Sequence, residues 1–207
     1  QGSVRAGQFR QQSATPVDLS GFKSTNNRNS TGGVLEVRHS FGSGHYLIGS
    51  AMFNRLRYTE NRVQDTNQSV ASLGYLREWQ SGSVSVVSLY GGRDKALRPL
   101  NSASQDIDVT RKNAGVRLYH QILVSSDVNM SLLLGYSERK DSKAFARAVL
   151  IDFGHDKTAE ASLGAAWRFA QRWSLRPQVS YIRNQSNIAL YEFSKTDISI
   201  AIRREFD

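Results

Sequence analysis

The strongest constraint on this chain is a period-two alternation of apolar and polar residues, repeated in segment after segment. Successive side chains of an extended strand point to opposite faces, so sustained alternation makes a two-faced ribbon; the 3.6-residue period of a helix would scatter the same residues around a cylinder. The pattern is cleanest toward the C-terminus. Over 158–169, Ala159, Ala161, Leu163, Ala165, Trp167 and Phe169 share one face, and Thr158, Glu160, Ser162, Gly164, Ala166 and Arg168 the other. Trp173, Leu175, Pro177, Val179 and Tyr181 alternate with Ser174, Arg176, Gln178 and Ser180. Val128, Met130, Leu132, Leu134 and Tyr136 alternate with Asn129, Ser131, Leu133, Gly135 and Ser137. Ile198, Ile200, Ile202 and Phe206 oppose Ser199, Ala201, Arg203 and Glu205.

Further strands are expected near 3–12, 32–42, 45–58, 69–80, 83–93 and 111–123. There Leu35, Val37, His39 and Phe41 oppose Glu36, Arg38 and Ser40, and Ala71, Leu73, Tyr75 and Trp79 oppose Ser72, Gly74 and Glu78. Around 46–56 and 84–90 apolar residues occupy both registers, and no face is assigned. The connections alternate in length. Short turns at Gly42-Ser43-Gly44, Gln80-Ser81-Gly82, Ser125-Ser126-Asp127 and Ala170-Gln171-Arg172 are separated by polar links over 11–31, 59–68, 94–110, 138–157 and 184–193. Barrels with tight periplasmic turns and long extracellular loops show this alternation.

The expected fold is therefore all-β: one antiparallel, up-and-down transmembrane β-barrel over 1–207, with about ten strands. Its expected place is the bacterial outer membrane, both termini periplasmic. A soluble up-and-down barrel is the competing fold, and such barrels close with about eight strands. Composition fits the membrane form. Hydrophobic residues make up 39% of the chain and mean hydropathy is −0.45, as expected where each strand is apolar on one side alone. No stretch approaches the roughly 18 apolar residues of a membrane-crossing helix. Trp167, Phe169, Trp173, Tyr181, Tyr136 and Phe206 fall at the ends of apolar faces, where headgroup belts favour amphipathic rings. The absence of cysteine excludes disulfides, thiolate metal sites and thiol nucleophiles. The net charge of +9 is explained most simply by a solvated basic surface, and otherwise points to anionic partners. Gln1 opens on no secretory signal, as in a mature or trimmed chain.

The last third carries a resemblance. Arg176-Pro177-Gln178-Val179-Ser180-Tyr181 leads to Ser186-Asn187-Ile188-Ala189-Leu190-Tyr191 and a final strand ending Arg203-Arg204-Glu205-Phe206. Over roughly 130–207 this resembles the end of the surface lipoprotein assembly modifier barrels and related barrels linked to tetratricopeptide repeats. In that group an R-P-x-x-x-Y strand precedes an S-N-x-x-L-Y loop and a terminal strand closing on phenylalanine. The resemblance implies outer-membrane residence, contact with the barrel-assembly machinery, and translocation of a secreted protein or lipoprotein cargo. Family barrels have more strands and follow a periplasmic helical-repeat domain, so the chain is expected to be the C-terminal part of a larger protein or a smaller relative. Asp207 after Phe206 departs from the usual final aromatic.

Catalytic chemistry finds little support in the residues. His39, His45, His120 and His155 lack metal-ligand spacing, and no cofactor is implied. Gly91-Gly92-Arg93-Asp94-Lys95 lacks the Gly-Lys-Ser/Thr ending of a phosphate-cradling loop. Asp152, His155 and Asp156 form one weak candidate, because a histidine beside carboxylates can act as a general base. A hydrolase would need partners such as Glu60 or Asp65, and an ordinary polar loop explains the cluster more simply. Inward positions supply Arg168, Arg176, Arg203, Glu36, Arg38, Glu160, Gln178 and Glu205, which either pair across the interior or line a path for an anionic or extended cargo. Aromatics fall on the apolar faces instead of sharing a face with Lys and Arg as stacking platforms, so nucleic acid is not an expected partner. The expected function is non-enzymatic secretion or translocation, with outer-membrane lipid and lipopolysaccharide as neighbours. The alternatives are a rim hydrolase and a structural or adhesive barrel binding through its loops.

Overall fold

The alternating segments are extended strands in the computed structural model, which describes residues 2–13, 28–59, 62–102, 105–142 and 154–205. In chain order they are β1 (Gly2–Ser13), β2 (Arg28–Gly42), β3 (His45–Tyr58), β4 (Thr66–Glu78), β5 (Val84–Ala96), β6 (Leu100–Ser102), β7 (Gln105–Ile107), β8 (Arg111–Leu123), β9 (Val128–Asp141), β10 (His155–Ala170), β11 (Trp173–Ser186) and β12 (Phe193–Arg204). Ten of them form one sheet in the order β1-β2-β3-β4-β5-β8-β9-β10-β11-β12, and β6 and β7 make a separate hairpin. Every pairing is antiparallel. The described residues include two single 3-10 turns, Arg62–Gln64 and Ala189–Tyr191, and no α-helix.

The up-and-down order of ten antiparallel strands agrees with the sequence. Closure into a barrel is not seen: β1 and β12 are the two edges of the sheet and do not pair with each other. Without that ladder each edge strand has one side of its backbone unpaired among the described residues, and every residue of β12 is exposed.

Several strands run further than the alternation indicated. β4 begins at Thr66, β9 continues to Asp141, β10 begins at His155 and β11 reaches Ser186. The ladder is made by backbone groups and continues through Asn67, Gln68, Lys140 and Lys157, where polar residues on both faces erase the periodic signal. The links after β3 and β9 are correspondingly shorter than 59–68 and 138–157 suggested. The β6–β7 hairpin within 94–110 was not anticipated.

Two turns depend on glycine. Gly44 and Gly82 have φ of 73° and 78°, a region that costs other residues strain. Glu78 N–H donates to Gly44 O (2.7 Å) and Gly82 N–H to Trp79 O (2.9 Å). A Cβ on Gly44 would also run into the Glu78 carbonyl oxygen.

Register puts like with like across the sheet. Val4, Val37, Gly49, Leu73, Leu89, Val116, Tyr136 and Ala159 stand successively opposite one another. On the other face the row is Ser3, Arg38, Ile48, Gly74, Ser88, Arg117, Gly135 and Glu160. The two ambiguous segments resolve the same way. Leu47, Ala51 and Phe53 join the apolar face with Val87 and Leu89, while Ile48, Met52, Val84 and Val86 sit among the polar residues.

Burial is inverted relative to a water-soluble fold. Leu89 is 61% exposed and Ile198 77%, whereas Asp94 is 5% and Asn54 7% exposed. The only buried hydrophobic residues among those described are Leu56, Ala96 and Ile188. Among the described residues no second layer covers the apolar face, and they form no apolar core of the kind that stabilises soluble domains.

The glycines give a paired test. Gly44→Ala is expected to lower the stability of the folded chain by about 1–3 kcal/mol, through strain and the backbone collision. Gly49→Ala, whose Cβ would meet nothing within 4 Å, is expected to be neutral or stabilising by a few tenths of a kcal/mol. Urea midpoints of the two variants check this; equal midpoints would refute the turn assignment.

Candidate functional site

The polar face falls into three zones between the short-turn end and the long-link end. At the short-turn end, Arg168, Arg176, Arg172, Asn129, Ser174 and Glu205 surround a cavity at the β10–β11 turn. Arg168 and Arg203 both stand opposite Ser174, on either side of it. Arg203 pairs with Glu205 at 3.5 Å, and Glu205 N–H donates to Arg172 O (2.9 Å). Further in, Tyr119, Ser131, Glu160, Ser162, Gln178 and Ser180 line a second depression, where Gln178 Nε2 donates to Ser162 Oγ (3.0 Å).

Side chains on this face bridge over an intervening strand. Arg117 on β8 donates to Glu160 on β10 (2.8 Å), and Glu160 lies over Gly135 of β9, where a Cβ would displace it. Arg38 on β2 reaches Glu78 on β4 (3.2 Å), stacking on the Tyr46 ring (3.9 Å) while Tyr46 Oη–H also donates to Glu78 (3.2 Å). Strands two apart are separated by about 9–10 Å, so such bridges form readily where a sheet curls toward that face.

The long-link end is the most tightly bonded part. Ser30 Oγ–H donates to Asn54 Oδ1 (2.8 Å) and Asn54 Nδ2 to Gln68 Oε1 (3.1 Å). Arg111 Nε donates to Asp94 (2.6 Å), Arg139 to Asp156, and Arg57 to Asp65 (3.0 Å). Thr158 Oγ1–H donates to Asn184 Oδ1 (2.7 Å), whose Nδ2 donates to Tyr191 O (2.6 Å). Asp65, Asp94, Asp156 and Asn184 are all buried. Hydrogen bonding makes this tolerable for Asp65, Asp94 and Asn184, whereas Asp156 is bonded by Arg139 through Oδ2 and its Oδ1 has no partner among the described residues.

The apolar face is a band with charged borders. On β3 it runs from His45 through Leu47, Gly49, Ala51 and Phe53 to Arg55; on β5 it holds Val87, Leu89 and Gly91 before Arg93. On β10 it extends from Ala159 to Trp167 beyond Lys157, and on β12 it holds Ile198, Ile200 and Ile202 before Arg204. Ring side chains gather near its short-turn border. Trp167 and Phe169 lie 5.8 Å apart, Arg204 sits 5.3 Å over Trp173, and Phe41 and Tyr75 are 6.2 Å apart. Tyr136 and Tyr181 are exposed nearer the other border.

Of the residues expected to point inward, Glu36, Arg38, Glu160, Gln178, Arg168, Arg176 and Arg203 share the polar face, and Glu205, just past the end of β12, lines the same cavity as Arg168 and Arg176. They form two groups, one on β2 and one on β10–β12. The weak catalytic candidates are not assembled. His155 and Asp156 are consecutive strand residues and occupy opposite faces: Asp156 is held by Arg139, whereas His155 Nε2 lies 3.6 Å from Glu138. Asp65 is engaged by Arg57 and by the Tyr58 amide. Asp152, Glu60 and Phe206 lie outside the described residues. Among the described residues no group of three His, Asp or Glu is placed to hold a metal ion. Sequence reasoning missed Glu78, Asp94, Arg111 and Arg139, whose signal was faint: charges on the polar register just beyond the apolar alternation. It also missed Phe41, Tyr75 and Trp79 as border rings, although they end an apolar face as Trp167 does.

Removing one partner of a buried pair leaves the other uncompensated. Asp156→Asn is expected to destabilise by about 1–2 kcal/mol, reduced from the fully buried case because Arg139 is half exposed. Glu78→Gln, in an exposed pair, is expected to cost about 0.5 kcal/mol. Denaturation midpoints that reverse this order would refute the assignment of the long-link end as the bonded zone.

Comparison with known proteins gives no match: no family model, curated protein or solved structure is similar to this chain.

Proposed function

We propose that the sheet is the wall of an outer-membrane β-barrel, its apolar face against lipid and its polar face inward, and that the barrel serves secretion or translocation to the cell surface. The apolar band carries this reading. From His45 to Arg55 a strand advances about 34 Å, or about 26 Å along a membrane normal at a tilt near 40°, close to the roughly 25 Å apolar band of such barrels. Water would penalise so large an uncovered apolar surface; hydrocarbon would not.

Stagger supports closure. The row of directly paired residues that starts at Gly2, the first of β1, ends at Thr196, eight residues before the end of β12. A level barrel of tilted strands requires such an offset. β1 and β12 run in opposite directions, as ten up-and-down strands must, so their free edges can complete an antiparallel ladder. Lipid cannot satisfy bare backbone groups, which makes open edges untenable in a bilayer. The translocation role draws on the resemblance of residues 130–207 to the surface lipoprotein assembly modifier barrels and on a polar face rich in hydroxyl, amide and guanidinium groups.

Leu89 gives a sharp test, because its present exposure would make arginine harmless there in water. Leu89→Arg is expected to cost about 2–4 kcal/mol in a bilayer and to reduce insertion into phospholipid vesicles. Ser180→Arg, on the polar face opposite Asp197, is expected to insert normally. Equal insertion of both would contradict the lipid-facing assignment. For the transport role, vesicles carrying the intact protein are expected to pass cargo that protein-free vesicles retain; no passage would refute it.

A further inference from the structure

At the long-link border of the apolar face, cations stand directly against one another. Arg93 pairs in register with Lys112, and Lys112 with Lys140. Lys95 follows Arg93 on the same face, and Lys157 stands opposite Glu138, two residues before Lys140. All five cations are exposed. Glu138 is the single acid among them, 3.7 Å from Lys140, and Arg93, Lys95 and Lys112 have no carboxylate partner among the described residues. Like charges directly opposite on neighbouring strands are destabilising. The arrangement contrasts with the polar face, where Arg38, Arg111, Arg117 and Arg139 each have a carboxylate.

One step along the strands the same face carries Gly91, Ala114 and Glu138 in register, with Lys157 beyond them, and at the second step it becomes Leu89, Val116, Tyr136 and Ala159. A ligand suited to both parts has negative charge at one end and hydrocarbon at the other. We propose that the Arg93–Lys112–Lys140 ladder binds the phosphate groups of an anionic membrane lipid carrying more than one phosphate, its acyl chains lying on the adjoining apolar band. Three cations across three strands, at about 5 Å per step, present donors over about 10 Å, wider than one phosphate fills. Guanidinium and ammonium groups bind phosphate oxygens by charge-assisted hydrogen bonds, and the bound anion relieves the repulsion that the free ladder stores. This site rests on the membrane reading above and fixes which border faces the phosphorylated leaflet.

The test uses the full chain folded in zwitterionic detergent micelles, with diphosphorylated lipid A, phosphatidylcholine and inorganic pyrophosphate as probes. Lipid A is expected to raise the thermal midpoint, phosphatidylcholine to leave it unchanged, and pyrophosphate to bind at least tenfold more weakly than lipid A. In the Arg93→Gln/Lys112→Gln/Lys140→Gln variant the lipid A affinity is expected to fall at least tenfold. Its midpoint without lipid is expected to equal or exceed that of the parent, because the repulsion is gone. Lipid A binding that survives the triple change overturns the site, and pyrophosphate binding as tightly as lipid A overturns the lipid as ligand. A parent chain that inserts into vesicles yet shows no response to lipid A sinks this inference alone; failure to insert at all sinks the membrane reading with it.

Discussion

Everything in this structure depends on a single continuous hydrogen-bond ladder whose two sides have opposite character. Ten strands pair only with their neighbours, and because side chains alternate, each pairing extends one apolar and one polar surface together. A one-residue slip in any strand would move its leucines among the arginines. Register is therefore the organising variable, held at the short-turn end by tight turns, two of them built on Gly44 and Gly82, and at the other end by buried bonds such as Arg139 to Asp156 and Asn54 to Gln68.

The two surfaces are stabilised by different means. The polar face supports itself: Glu160 crosses Gly135 to reach Arg117, and Arg38 shares Glu78 with Tyr46. The apolar face has nothing within the described chain to pack against, and leucine, isoleucine and valine side chains stand out from it. A medium that accepts hydrocarbon on one side of the sheet removes the difficulty and gives the charged borders of the band a purpose at the headgroup levels. Under the proposed membrane reading, the like-charged ladder of Arg93, Lys112 and Lys140 would be an attachment point for the surrounding membrane, where in water it would be only a local defect.

Strand identity and face were legible wherever alternation was uninterrupted, as from Ala159 to Phe169 and from Leu175 to Tyr181. They were not legible in β3 and β5, because Ile48, Met52, Val84 and Val86 on the polar face mimic the other register; only the partners across the ladder decide it. Strand ends were hidden for a related reason: backbone pairing persists past Tyr136 and before Thr158 through residues that carry no apolar signal. The residues expected inward did share a face, since parity alone sets that. Their ion pairs did not follow from parity, because Arg38–Glu78 and Arg117–Glu160 each span an intervening strand. His155 and Asp156 illustrate the opposite error: nearness in sequence suggested a pair, and the strand period separates them.

The most direct measurement is the environment of single nitroxide labels, for which the cysteine-free chain is well suited. Leu89→Cys and Leu163→Cys would carry labels on one face, Ser88→Cys and Ser162→Cys on the other, in chain reconstituted into phospholipid bilayers. Labels at 89 and 163 are expected to collide with dissolved oxygen and to be shielded from a water-soluble nickel chelate, with the reverse at 88 and 162. Equal access of the nickel chelate to all four positions would contradict the assignment of hydrocarbon to one side of the sheet.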